Sequence, residues 1–394
     1  MPRATACPGP LAVAAVGMAA LASAMGIGRF AFTPMLPLMQ QAVGLTLEEG
    51  GWLASANYAG YLSGALAMIA IAPPPAAAAR TGLVAVAALT LAMGWTDQFA
   101  AWVVLRFLAG AASACVLVGI SAWALPILAL SQRARWSGIV FAGVGAGIAV
   151  AGAIGLATGI VQARPARAWV VLGAVAAVAA AVAWPALRQQ PAPPATSIAV
   201  RARGSGGMRL VACYGAFGFG YIIPATFLPA LAREVLADPL VFGWVWPLFG
   251  IAAAASTLAS SRWLVRVQPR DVWVASQLVM AVGVMAPAVS GELWAILVCA
   301  ICVGGSFMVV TMAGIQHARL VAGAAAPQLI AAMTAAFALG QLVGPLTLRA
   351  DAAGAASILL PSAIAASALV ASAIALPTRR AVRPDSSSAS IERK

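Results

Sequence analysis

Arg29 and Arg106 stand inside long, otherwise uncharged apolar runs. A guanidinium in such a run is costly, so it faces a wet cavity or a partner and marks a candidate site. Its planar fork can grip an anionic group through two hydrogen bonds. A plainer reading stays open for both residues, in which each satisfies backbone carbonyls freed by nearby helix breakers. Pro34 and Pro37 follow Arg29 closely enough to supply such breaks. At about 1.5 Å of rise per residue, Arg29, Arg106 and Asn57 fall at similar depth. With Thr33 and Tyr58 they form a polar layer in the first half of the chain. The second half offers Tyr221, Thr226 and Gln341, beside Gln277, Ser306 and Thr311. Gln341 has no charge near it and is the strongest of these. Trp244 and Trp246 sit near a run boundary and read as interfacial anchors rather than ligands.

Enzyme chemistry has little to work with. There is one histidine, no metal-ligand cluster, no phosphate-binding loop and no serine beside a base, and no cofactor is expected. His317 lies at the end of an apolar run, where a solvated role fits better than a relay. Cys299-x-x-Cys302 has redox spacing, but inside an apolar helix without a basic neighbour it reads as packing.

The elements that must position these residues follow from composition. The chain has 394 residues, 63% hydrophobic and only 8% charged, against about 25% charged in soluble domains. A membrane-crossing helix needs about 20 mainly apolar residues. Segmenting on that length predicts an all-α membrane protein with spans at 11–39, 50–71, 82–95, 98–125, 136–162, 168–187, 208–232, 240–261, 272–289, 292–316, 326–348 and 354–376. The third could begin within the Ala run after Pro75. The runs are continuous rather than alternating, which argues against a barrel.

A repeat organises these twelve spans. Gly26-Ile27-Gly28-Arg29 returns as Gly218-Phe219-Gly220-Tyr221, Leu36-Pro37 as Leu228-Pro229, and Gly51-Trp52 as Gly243-Trp244, always 192 positions on. Trp102 finds Trp294 at the same offset. Such duplication predicts two pseudo-symmetric six-helix halves around a central path. Residues 1–187 form the first half and 208–377 the second. The Pro-, Gln-, Ser- and Arg-rich stretch 188–207 reads as a cytoplasmic linker, and 378–394 as a disordered tail.

The net charge of +13 suggests nucleic acid until its distribution is followed. With the N-terminus in the cytoplasm, 17 of the 23 Lys and Arg fall on cytoplasmic segments and seven of the ten acids fall outside. That asymmetry is the positive-inside bias, so the charge orients the chain and both termini are cytoplasmic. Ala22-Ser23-Ala24 after Arg3 imitates a signal-peptide cleavage site. The apolar run continues to Met39, however, and cleavage would behead the repeat.

The stretches Gly26-Ile27-Gly28-Arg29-Phe30-Ala31-Phe32-Thr33-Pro34-Met35-Leu36-Pro37-Leu38-Met39 and Ala56-Asn57-Tyr58-Ala59-Gly60-Tyr61-Leu62-Ser63-Gly64-Ala65-Leu66 resemble the signature of the YbfB/YjiJ branch of the major facilitator superfamily. The resemblance covers essentially the whole chain. It implies the superfamily's twelve-helix, two-half fold and a secondary transporter of the bacterial inner membrane. Leu105-Arg106-Phe107-Leu108-Ala109-Gly110 is similar to the span-four element that the superfamily places near its cavity and links to coupling. The glycines from Gly143 to Gly155 are similar to its span-five antiporter element, but the proline of that element is missing. Ala72-Pro73-Pro74-Pro75 stands where a charged gating loop is usual, so gating must rest on something else. The expected substrate is a small organic solute, and an anionic group on it is the partner that Arg29 suits. A sugar-type or multidrug exporter and a non-transporting membrane sensor are the alternatives. No Asp or Glu maps to mid-span depth, so coupling is absent, uses Glu234 beside Arg233, or lets protons travel with the substrate. A monomer in the lipid bilayer is expected, with no nucleic-acid partner.

Overall fold

The computed structural model describes residues 9–188, 205–235, 242–264, 266–323, 326–344 and 355–377. Among them there is no strand. In order come α1 (Pro10–Leu21), α2 (Phe32–Val43), α3 (Leu47–Ile71), α4 (Pro75–Met93), α5 (Phe99–Leu130), α6 (Ser137–Ile160), α7 (Pro165–Arg188), α8 (Ser205–Val235), α9 (Val245–Trp263), α10 (Pro269–Val289), α11 (Leu293–Ala322), α12 (Ala326–Val343) and α13 (Ala355–Ala375). Helix is the form in which each segment pairs its own backbone groups, as lipid demands.

Eight described segments are long and apolar enough to cross a membrane: Pro10–Val43, Pro75–Met93, Phe99–Leu130, Ala134–Ile160, Pro165–Leu187, Gly206–Pro229, Pro269–Val289 and Leu293–Ala322. Leu329–Val343 and Leu359–Ala375 are apolar but shorter. Two expected spans, α3 and α9, fall below that standard, and their composition says why. Asn57, Tyr58 and Tyr61 dilute α3, while Ser256, Thr257, Ser260, Ser261 and Arg262 dilute α9. These two helices are repeat partners. Each packs on a helix of the other copy, α3 on α12 and α9 on α6.

The first span is interrupted. After α1 the chain widens into a π turn, Ala22–Ile27, and then turns through Gly28–Ala31 before α2 resumes. Gly28 N–H donates to Ser23 O at 2.9 Å and Phe30 N–H to Met25 O at 3.1 Å, both five residues back. π turns inside helices are frequent at functional positions. Gly26 permits this one, because any Cβ would run into the backbone of Gly147 on α6.

Helix pairings recur at the spacing of the repeat. α1 packs on α6 as α8 does on α12, α3 on α5 as α9 on α11, and α4 on α7 as α10 on α13. The close approaches recur too. Gly26 meets the Gly147 backbone and Gly218 the Phe337 backbone, while Gly110 meets the Asn57 carbonyl and Gly304 the Phe249 carbonyl. Small residues are what allow such backbone contact in a membrane bundle. Thr33 Oγ1 donates to the carbonyl of Ala225, its own repeat partner, at 3.0 Å.

The boundaries of the expected linker shift slightly. Arg188 still belongs to α7, and Ser205 already opens α8. Residues 189–204 lie outside the described residues, as does the tail 378–394.

Candidate functional site

Arg29 sits in the turn between the π segment and α2, 2% exposed. Its Nη2 donates to Gln341 Oε1 on α12, and Gln341 Nε2 donates to the Tyr221 hydroxyl on α8. Arg29 and Tyr221 are repeat partners, so one glutamine bridges the two equivalent positions. The guanidinium lies 4.0 Å from the Tyr61 ring centre, with Phe30, Tyr58 and Phe337 between 5.3 and 5.9 Å. Its Nε and Nη1 have no hydrogen-bond partner among the described residues. Each two-pronged face of a guanidinium includes Nη2, the atom that Gln341 occupies. Nη2 carries two N–H groups and Gln341 takes one of them, so an anion either uses the remaining fork with an unpartnered nitrogen or competes with Gln341.

The walls are aromatic. Tyr221 stacks between Phe307 (5.8 Å, 3°) and Phe337 (5.5 Å, 12°), and Tyr214 and Phe217 continue the group along α8. A cavity of about 50 Å³ lies between Arg29, Tyr61, Tyr221, Phe307, Met308 and Phe337. A separate cavity of about 700 Å³ opens at the end of the bundle carrying Pro37 and Arg233, and one of about 260 Å³ at the end carrying Arg135 and Arg319. At the first of these ends Arg233 Nη1 donates to Pro37 O at 2.6 Å, tying α8 to α2.

Thr33, Tyr58 and Thr226 make further ties beside the cavity. Thr226 Oγ1 donates to Ile222 O at 2.7 Å, which commits its proton and leaves Tyr58 as donor in the 2.7 Å contact to Thr226 Oγ1. Arg106 and Asn57 lie behind the site rather than in it. Arg106 donates to Gly28 O (3.2 Å) and Arg29 O (3.1 Å), carbonyls that the break in the first span leaves open. Asn57 Nδ2 donates to Arg106 O at 2.8 Å. Of the two readings open at the start, the geometry gives backbone satisfaction to Arg106 and an unfilled guanidinium to Arg29.

Of the other expected residues, Thr311 lines the central cavity and the rest land elsewhere. Gln277 bonds Ser372, while Ser306 and Thr311 return their hydroxyls to Cys302 O and Phe307 O on their own helix. Trp244 is 58% exposed, matching its repeat partner Trp52 at 57%, as anchors would be. Trp246 corrects that expectation: it is fully buried, stacked on Phe249 at 4.7 Å. His317 is also buried rather than solvated, with Nε2 unpartnered. Cys299 is buried and Cys302 half-buried, and both are free thiols.

Sequence reasoning did not single out Tyr61, Phe30, Phe307 or Phe337. A legible signal existed in Tyr214, Phe217 and Tyr221, whose spacing of three and four places them on one face of α8. Acidic groups are missing from the centre. Among the described side chains Glu48, Asp97, Asp271 and Glu292 are exposed and Glu49 half-buried, and the described ion pair is Arg270–Asp271 at 3.2 Å. No group of three or more potential metal ligands occurs among the described residues.

Eight described helices long and apolar enough to cross a membrane, packed around a buried polar centre, fit a multi-pass membrane protein. A family model described as the uncharacterised MFS-type transporter YbfB matches residues 21–376, which span every site residue from Arg29 to Gln341. The chain belongs to that family of the major facilitator superfamily. No curated protein matches it.

Proposed function

We propose that the protein is a secondary transporter that moves a small organic anion across the bacterial inner membrane by alternating access. The observation carrying this reading is Arg29: a guanidinium 2% exposed, two of its nitrogens unpartnered, with no carboxylate described near it. A buried charge without a counterion is costly, and a substrate carboxylate supplies the missing partner.

The recurrence of helix pairings across the repeat supports twelve spans in two halves, 1–187 and 208–377. The excess of arginine on alternate loops supports cytoplasmic termini. On that orientation the 700 Å³ cavity is the outer vestibule and the 260 Å³ cavity the inner one. In the state described, Arg29 is sealed from both. An anion that competes with Gln341 for Nη2 releases the bridge from the first span to α12 and Tyr221. A ligand shifts a conformational equilibrium only by its differential affinity, and this exchange of partners provides such a difference. Protons, if coupled, travel with the substrate, since no described carboxylate lies at the site.

Aromatic walls favour a second reading, export of lipophilic cations. The unpaired guanidinium opposes it, and dye efflux from cells with and without the protein separates the two. The direct test is thermal stabilisation of the purified protein, since a ligand of the folded state raises its apparent stability. A carboxylate that stabilises wild type and not Arg29→Gln supports the reading. Unchanged affinity in folded Arg29→Gln removes Arg29 from the site.

A further inference from the structure

We propose that the substrate is a monocarboxylate bearing a flat aromatic or conjugated ring, an inference that rests on the anion reading above. Three features of the central cavity carry it. Among the described residues Arg29 is the one cationic side chain lining it and none of the lining side chains is acidic, so one negative charge is matched and a second is left in an apolar enclosure. Thr311 and Thr334 also line the cavity, but both commit their hydroxyl protons to backbone carbonyls, Phe307 O and Ile330 O. A polyhydroxylated acid would lose its hydration and find only the hydroxyls of Tyr61, Tyr214 and Tyr221 among the described lining in return. The remaining wall is an aromatic face, Phe307, Tyr221 and Phe337 in near-parallel stack, with Phe30 set edge-on to Phe307 at 5.9 Å. Such a wall takes a flat ring by edge-to-face or offset contact.

The closed cavity of about 50 Å³ fits a carboxylate-sized group. A benzene-sized ring needs a cavity nearer 150 Å³. Met25 and Met308, both on the lining, are unbranched and adaptable enough to open part of that space. Release of Gln341 by the incoming carboxylate opens the rest. The carboxylate takes the Nη2 fork of Arg29, and the ring lies along the Phe307–Tyr221–Phe337 face.

The test uses the full-length protein in detergent, with benzoate, cinnamate, hexanoate, succinate, gluconate and tetraphenylphosphonium as probes. Ligand-dependent melting temperature and competition give the relative affinities. Benzoate or cinnamate is expected to bind best, with binding lost in Arg29→Gln. In Phe307→Leu, which keeps apolar volume and removes a ring, aromatic acids are expected to weaken roughly threefold to tenfold, the worth of an aromatic pair, and hexanoate to stay unchanged. If Phe307→Leu does not fold, the wild-type ranking decides. Succinate, gluconate or hexanoate binding more tightly than the aromatic acids, through Arg29, overturns the ring and leaves the anion reading standing. Binding of tetraphenylphosphonium alone, or no carboxylate binding at all, overturns both.

Discussion

Residues 26–52 and 218–244 share one spacing and differ in two ways that explain each other. In the first copy the helix is broken by a π turn and carries Arg29. In the second, α8 runs unbroken from Ser205 to Val235 and carries Tyr221. Both copies keep the glycine that lets the helix touch its neighbour's backbone, Gly26 on Gly147 and Gly218 on Phe337. What differs is the neighbouring donor. The first copy has Arg106 to occupy the carbonyls of Gly28 and Arg29, whereas the position 192 residues on is Val298. Unsatisfied carbonyls are not tolerated in lipid, so a break is sustainable in the copy that brings its own guanidinium. One arginine thus holds the backbone open and frees the other to face the cavity.

That comparison can be broken most severely at Arg106. Arg106→Leu orphans two buried carbonyls, each worth roughly 1–3 kcal/mol, and is expected to lower the melting temperature sharply or prevent folding. Val298→Leu, its counterpart, is expected to leave stability near wild type. Equal melting temperatures for the two variants would dissolve the link between the break and Arg106. Next in size, of the repeat partners Arg29 and Tyr221, is a change at the first, Arg29→Gln, read by carboxylate binding. This change is expected to weaken binding about 100-fold, as loss of a desolvated charge-assisted pair does at roughly 1.4 kcal/mol per decade. It should leave the melting temperature unchanged or raised, since an uncompensated charge has gone.

A sharper test exploits Gln341. Gln341→Glu places a permanent carboxylate on Arg29, so exogenous carboxylates are expected to lose their binding while the empty protein melts higher. Gln341→Ala removes the competitor and is expected to tighten carboxylate binding a few-fold. The reverse order would mean that Gln341 holds the substrate and does not stand in for it. Smallest is Tyr221→Phe, which keeps the ring stack and removes one hydroxyl. It is expected to cost about 0.5–1.5 kcal/mol of stability, one net hydrogen bond, with carboxylate affinity within about threefold.

Much was legible before any coordinates. Eight of the expected spans followed from apolar length because lipid admits few other backbone solutions. The repeat followed from Gly, Pro and Trp spacing, and the two arginines drew notice because burying a guanidinium is costly. Even the carbonyl-satisfying role of Arg106 was among the readings open from the sequence. At α3 and α9 polar residues dilute the apolar run; those of α9 return their hydroxyls to their own helix, while Tyr58 of α3 reaches Thr226 in the other copy.

Composition and spacing therefore determined by themselves that this is a helical membrane protein with an internal repeat, a cationic centre and no mid-span acid. Both kinds of information are local or periodic, and so survive in one dimension. Tertiary structure alone decided which arginine faces the cavity, because that depends on where the first span breaks and on which carbonyls Arg106 can reach. It alone set Gln341 between Arg29 and Tyr221, residues separated by 312 and 120 positions from their partner. It also buried Trp246 and His317, whose placement near run ends had pointed outward. Contacts of that kind depend on helix rotation and on packing between repeats, which apolar length leaves free.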